Sequence, residues 1–209
     1  PLPAAIAATS VAFLMAGLWT LQLLVRQRDA LPPALVPLVA AALVGAVIGA
    51  WLVPQVPARW VQGWIGVLAL ASGVYGWFTA GRAATGHRRW PGAAANAALG
   101  LLVGAGSALS GTGGPVLLLP LLLLAGLPAA PAVLAGLAVQ IPIALASVTT
   151  HVALGTLGAA QWPLGLAVGT LLVAGASLGA RLARRASPAG LRRATAVVLV
   201  LTGLAFLMA

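Results

Sequence analysis

The sequence predicts an all-α polytopic membrane protein built from two helical repeats of inverted topology, with a glycine-rich broken helix opening the second. Three observations lead there. Of its 209 residues, 62% are hydrophobic and only 6% charged, too little polar surface to cover a soluble globule of this size. The apolar residues gather in several segments of about 20, the length of a helix crossing a ~30 Å hydrocarbon core rather than the ~10-residue strands of a barrel. The uncharged run from Gly92 to Ala180 contains Gly104-Ala-Gly-Ser-Ala-Leu-Ser-Gly-Thr-Gly-Gly-Pro-Val-Leu-Leu-Leu-Pro120, where each glycine costs about 1 kcal/mol relative to alanine in a helix interior. Backbone irregularity at membrane depth is tolerated only inside protein or beside a cavity, so this stretch is the natural place for a ligand.

The first span runs from Pro3 to Val25 and stops at Arg26-Gln-Arg28-Asp29 and Leu31-Pro32-Pro33, where proline forbids a continuing helix. The second runs to Val53 and carries Gly45-Ala-Val-Ile-Gly49, the spacing that lets two membrane helices approach closely. Pro54, Pro57 and Arg59 make a turn into a third span, Trp60 to Phe78, whose Trp60, Trp64, Tyr75 and Trp77 suit the membrane interfaces. The connection that follows holds Arg82, His87, Arg88 and Arg89 and reads as a solvated cytoplasmic loop. Ala93 to Gly126 would be about 50 Å long as one helix and must break. The break falls at Gly111-Thr-Gly-Gly-Pro115, with Pro115 placed as the first residue of a new half-helix. After the turn Leu127-Pro-Ala-Ala-Pro131, a span from Ala132 to Ala153 contains Gln140, Pro142, Thr149, Thr150 and His151. The next, Pro163 to Leu182, holds Gly175-x-x-x-Gly179; a basic loop with Arg181, Arg184, Arg185, Arg192 and Arg193 precedes a last span from Ala194.

An internal duplication links these pieces. Leu2-Pro-Ala-Ala matches Leu127-Pro-Ala-Ala, Gly45-x-x-x-Gly49-Ala50 matches Gly175-x-x-x-Gly179-Ala180, and Gly73 matches Gly203, in the same order. The organisation expected is a first repeat over 1–79, a basic loop over 80–92 and a second repeat over 93–209. Because only the second repeat has a glycine-rich segment in front of it, a corresponding segment is expected upstream of Pro1. If 93–126 enters and returns as a hairpin, ten of the eleven arginines fall on one face and only Arg59 on the other, as the positive-inside rule requires. The two repeats are then opposite in orientation, a plan in which substrate binds at broken helices near the midplane.

The charge of +10 comes from arginine alone, and Asp29 is the sole acid. These arginines flank apolar spans and form no basic run interleaved with aromatics, which argues against nucleic acid as a partner. The chain has no cysteine, hence neither disulfides nor thiolate metal sites. A P-loop is excluded for want of a lysine, and Gly104-x-Gly106 reaches Leu109 where a dinucleotide fingerprint needs glycine. No cofactor is called for.

The candidate substrate-binding residues are Ser107, Ser110, Gly111, Thr112, Gly113, Gly114 and Pro115, whose successive N–H groups and half-helix N-terminus make an anion cradle without a charged side chain. Close helix packing is the competing role for these glycines. Gln140 and His151, eleven residues apart, differ by about 20° around a helix and share a face, which makes them candidates for the cavity wall. Two other readings compete: an intramembrane serine protease using Ser110 with His151 as base, and a non-transporting membrane subunit.

Ser110-Gly-Thr-Gly-Gly-Pro115 followed by Leu-Leu-Leu-Pro120 and a Leu-Pro turn, then the threonine, His151 and glycine segment ending in Gln161-Trp162, then Gly175-Ala-Ser-Leu-Gly179-Ala180-Arg181-Leu182, resembles the sulfite exporter TauE/SafE family. The first copy, with Ala8-Thr9-Ser10 and Gly45-Ala-Val-Ile-Gly49-Ala50, is similar to that family's first half, which adds Thr9 and Ser10 to the binding candidates. The resemblance implies export of small sulfur anions, sulfite or organosulfonates such as sulfoacetate, across a bacterial inner membrane. The partners expected are the anionic substrate and the bilayer, with homo-oligomerisation left open. No span carries a carboxylate to hold a driving cation, so an exported anion is expected to run down the membrane potential.

The absence of cysteine makes the topology directly testable. Ala186→Cys and Ala84→Cys are both expected to react with an impermeant thiol reagent only after lysis; external labelling of Ala186→Cys alone would refute the hairpin and the inverted repeat together.

Overall fold

The structure, a computed structural model, describes residues 2–27, 32–33, 35–79, 90–125, 127, 129–183 and 188–208. Within them the chain forms eight helices and no strand: α1 (Leu2–Gln27), α2 (Leu35–Leu52), α3 (Ala58–Thr79), α4 (Ala93–Ser110), α5 (Gly114–Leu124), α6 (Ala129–Ala153), α7 (Gln161–Ala183) and α8 (Pro188–Met208). Six of them, α1, α2, α3, α4, α6 and α7, are long and apolar enough to cross a membrane. The expected order of elements is found, with one difference. The break in 93–126 falls where expected, between Ser110 and Gly114, and divides an 18-residue α4 from an 11-residue α5, about 27 Å and about 16 Å long. The last helix begins at Pro188, so Arg192 and Arg193 stand on it rather than in a loop, because proline suits a first helical turn and arginine is a good helix former. The predicted loop residues Arg28, Asp29, Arg82, His87, Arg88, Arg89, Arg184 and Arg185 lie outside the described residues.

Without a hydrophobic drive between helices in lipid, close backbone contact must hold the bundle together. The α2–α4 pair does this most fully. A Cβ on Gly45 or Gly49 of α2 would run into the carbonyls of Leu101 and Ala105, and one on Gly100 or Gly104 of α4 into those of Leu38 and Ala42. Two four-residue glycine spacings thus interlock, each accommodating the backbone of the other helix. On its other side α2 packs against α6, α5 rests on α6, and α1 lies against both α6 and α7. The largest buried cluster runs through this layer: Leu38, Ala42 and Ala46 of α2, Val103 of α4, Leu118 and Leu122 of α5, and Val139 of α6. The α3 and α8 helices pair at one side of the bundle, brought together at Gly66, Gly73 and Gly203.

The second copy of the small-residue spacing behaves differently. No atom of the described residues lies within 4 Å of a Cβ placed on Gly175 or Gly179. Instead α7 meets α1 through Gly165 and Gly169, where a Cβ would press on Ala8, Val11 and Met15.

The contrast predicts opposite outcomes for one kind of substitution. Gly45→Val or Gly104→Val should destabilise the protein by about 1–3 kcal/mol through overpacking. Gly175→Ala should be neutral or gain up to about 1 kcal/mol from helix propensity. Thermal unfolding in detergent, read by circular dichroism, compares the three.

Candidate functional site

The break between α4 and α5 is set by glycine. Gly111 ends α4 at φ 64° and Gly113 follows at φ 76°, left-handed conformations that L side chains adopt at a cost of roughly 1–2 kcal/mol. Helix α5 then starts at Gly114 with Pro115 in its first turn, where a missing N–H is harmless. The backbone N–H groups of Thr112, Gly113 and Gly114 have no hydrogen-bond acceptor among the described residues, although Gly113 and Gly114 are buried. Such donors require a partner, and a bound anion or water supplies one.

The hydroxyls have a different task. Ser107 Oγ donates to the Gly113 carbonyl at 3.1 Å, and Ser110 Oγ to the Gly106 carbonyl at 2.7 Å. Ser110 and Thr112 hydroxyls are 2.8 Å apart; with the Ser110 proton committed to Gly106, Thr112 is the donor of that pair. All three side chains therefore brace the break. On α1, Thr9 and Ser10 both donate to the Ile6 carbonyl, at 2.8 and 3.0 Å. Each hydroxyl has one proton, so all five are committed within the protein.

Helices α1 and α6 complete the enclosure. Ser10 and Phe13 of α1, Ser107, Gly111 and Gly113 of the break region, and Gln140, Ile143, Ala144 and Ser147 of α6 line one cavity. Gln140 Nε2 donates to the Phe13 carbonyl at 3.3 Å, tying the two helices across it. Two residues beyond, Pro142 lies inside α6 and leaves the Ala138 carbonyl without its helical donor. The cavity volume is about 10 Å³, close to the ~10–15 Å³ that one water needs, so the conformation is closed to a multi-atom anion. Phe13 packs directly on the break: a Cβ on Gly113 would stand 2.8 Å from its ring. A Cβ on Gly114 would likewise meet Val139 and Ile143 at 2.8 and 2.9 Å. Packing and amide presentation are thus both served by these glycines.

Of the sequence-derived candidates, Ser10, Ser107, Gly111, Gly113 and Gln140 line the cavity. Thr9 stands behind it, its Oγ1 2.7 Å from where a Gly111 Cβ would be; Pro115 packs on Gly136. His151 sits elsewhere. Although it shares the Gln140 face, the chain after α6 folds back on its ring: Thr156 N donates to His151 O at 3.0 Å, Gly155 N to Val152 O at 3.1 Å, and Gly155 has φ 67°, the Schellman pattern. His151 Nδ1 meets Thr156 Oγ1 at 2.9 Å. The imidazole is fully buried and its Nε2 has no partner among the described residues. Ser110 and His151 therefore each have other partners, and the nucleophile–base hydrogen bond of a protease dyad is not formed. Sequence reasoning missed Phe13, Ile143, Ala144 and Ser147. Ser147, seven residues after Gln140, was findable by the same helical-face argument; nothing local marks Phe13.

A family model described as sulfite exporter TauE/SafE matches residues 1–206. No curated protein and no solved structure gives a match. With a match over nearly its whole length and apolar helices of spanning length, the chain belongs to the sulfite exporter TauE/SafE family of membrane anion transporters.

Proposed function

We propose that this protein exports a small sulfur oxyanion, sulfite or an organosulfonate such as sulfoacetate, across the inner membrane of a bacterium by alternating access. One observation carries the reading: three consecutive amide donors, at Thr112, Gly113 and Gly114, have no acceptor among the described residues, and the middle one, Gly113, lines a cavity between helices α1, α4 and α6. Backbone dipoles attract a desolvated oxyanion, yet carry no full charge that would trap it. Gln140, with one N–H on Phe13, has a second to offer the ligand. Admission of an anion requires the Phe13 side of α1 to withdraw from the break, which is the gating step of the cycle.

The inverted-repeat arrangement belongs to this proposal. It is supported by the pairing of helices: α1 packs on α7 and α2 on α6, the exchange expected of a two-fold relating α1 to α6, α2 to α7 and α3 to α8. Two such halves rocking about the shared cavity would expose it to either face in turn. No acid lies in any helix described, and a potential negative inside drives an anion outward with about 2.3 kcal/mol per charge per 100 mV.

Radiolabelled sulfite flux in proteoliposomes tests the site. Gln140→Leu and Gly111→Ala should lower flux at least about ten-fold, the latter by straining the break, whereas Gly175→Ala should transport normally. Wild-type rates for Gln140→Leu and Gly111→Ala would reject the cavity as the binding site. In the same vesicles efflux should follow an imposed potassium-diffusion potential and ignore sodium; flux indifferent to voltage, driven by a proton gradient and lost in His151→Ala would replace uniport with proton coupling.

A further inference from the structure

Far from the cavity, α3 and α8 leave an apolar groove of about 260 Å³ on their outer side, lined by Val74, Trp77, Phe78, Ala196, Val200 and Leu201 among others. Its walls are open to the surroundings: Phe78 is 73% and Leu201 62% exposed. The groove runs along the last turns of α3 and the middle of α8, and Arg193, on the turn of α8 before Ala196, holds its guanidinium 5.9 Å from the Trp77 ring centroid. A ring face attracts the charge of a guanidinium but is no substitute for an oxygen acceptor on its N–H groups.

Those donors favour an anion, and none of the described residues is Asp or Glu; the chain's single acid, Asp29, lies outside the described residues. An alkyl groove beside an arginine has the chemistry of a lipid site: the groove takes an acyl chain and the guanidinium takes a phosphate bidentately. The position fits as well. Arg82, Arg88 and Arg89 follow α3 in the sequence, and Arg184 and Arg185 precede α8, so the groove opens on the arginine-rich side of the protein, where anionic lipid collects.

We infer that the α3–α8 groove is a binding site for one anionic phospholipid, its chain between Val74, Trp77 and Val200 and its headgroup on Arg193. The occupant is a lipid rather than a second copy of the chain because the arginine beside the groove favours an anion, and this chain offers only one acid to give in return.

Native mass spectrometry of the purified full-length protein, offered phosphatidylglycerol and phosphatidylcholine with identical chains, decides the matter. Wild type should retain phosphatidylglycerol about five-fold over phosphatidylcholine, the ratio one arginine near a membrane surface commands. Arg193→Gln should erase the preference while still retaining both lipids. Val197→Trp, at an exposed groove position, should lower retention of both without unfolding the protein. Equal retention by wild type, or an unchanged preference in Arg193→Gln, would overturn the lipid site. So would efficient disulfide formation between copies carrying Val197→Cys in native membranes, since the groove would then be covered by a second protomer.

Discussion

The interlock of α2 with α4 is the contact on which the rest depends. In lipid, two helices gain little from burying apolar side chains against each other, and their attraction comes from dispersion and weak polar contacts that operate only at short range. Gly45, Gly49, Gly100 and Gly104 bring the two backbones together, so that α4 becomes a fixed wall rather than a mobile hairpin arm. Only a fixed α4 can hold a backbone break, because the unpaired amides beyond Ser110 must sit against protein and not against hydrocarbon.

From that wall the site is built by division of labour. Glycine supplies the left-handed turns, hydroxyls brace them through bonds to carbonyls and to one another, and the amides of Thr112 to Gly114 are left without an acceptor among the described residues. Phe13 projects from α1 against Gly113, and the cavity between them and α6 has about the volume of one water.

The α3–α8 pair contrasts with this core. It uses the same close approach at glycine, at Gly66, Gly73 and Gly203, but its outer surface retains large exposed side chains, among them Trp60, Trp77 and Phe78. Such a surface is matched to lipid, and its single stacked arginine gives one end a chemical preference that a purely apolar surface lacks.

The sequence by itself determined the membrane environment, the order of the helices, and the break at Gly111–Pro115, since these follow from local chemistry: segment length, proline and glycine at ends, arginine at borders. It also identified the polar groups available within the spans. Tertiary structure alone decided which of them meet. Gly45-x-x-x-Gly49 and Gly175-x-x-x-Gly179 are the same signal in sequence, yet one is engaged by a backbone and the other is open, because engagement depends on a partner distant along the chain. Gln140 and His151 share a helical face, yet a fold-back at Gly155 caps the helix with backbone amides and brings Thr156 Oγ1 onto the His151 ring. The partners of Ser107, Ser110 and Thr112, the Gly113 and Gly106 carbonyls and each other, follow from the turn geometry and not from the spacing. Phe13 carried no local mark at all, for its place against Gly113 depends on a separate helix.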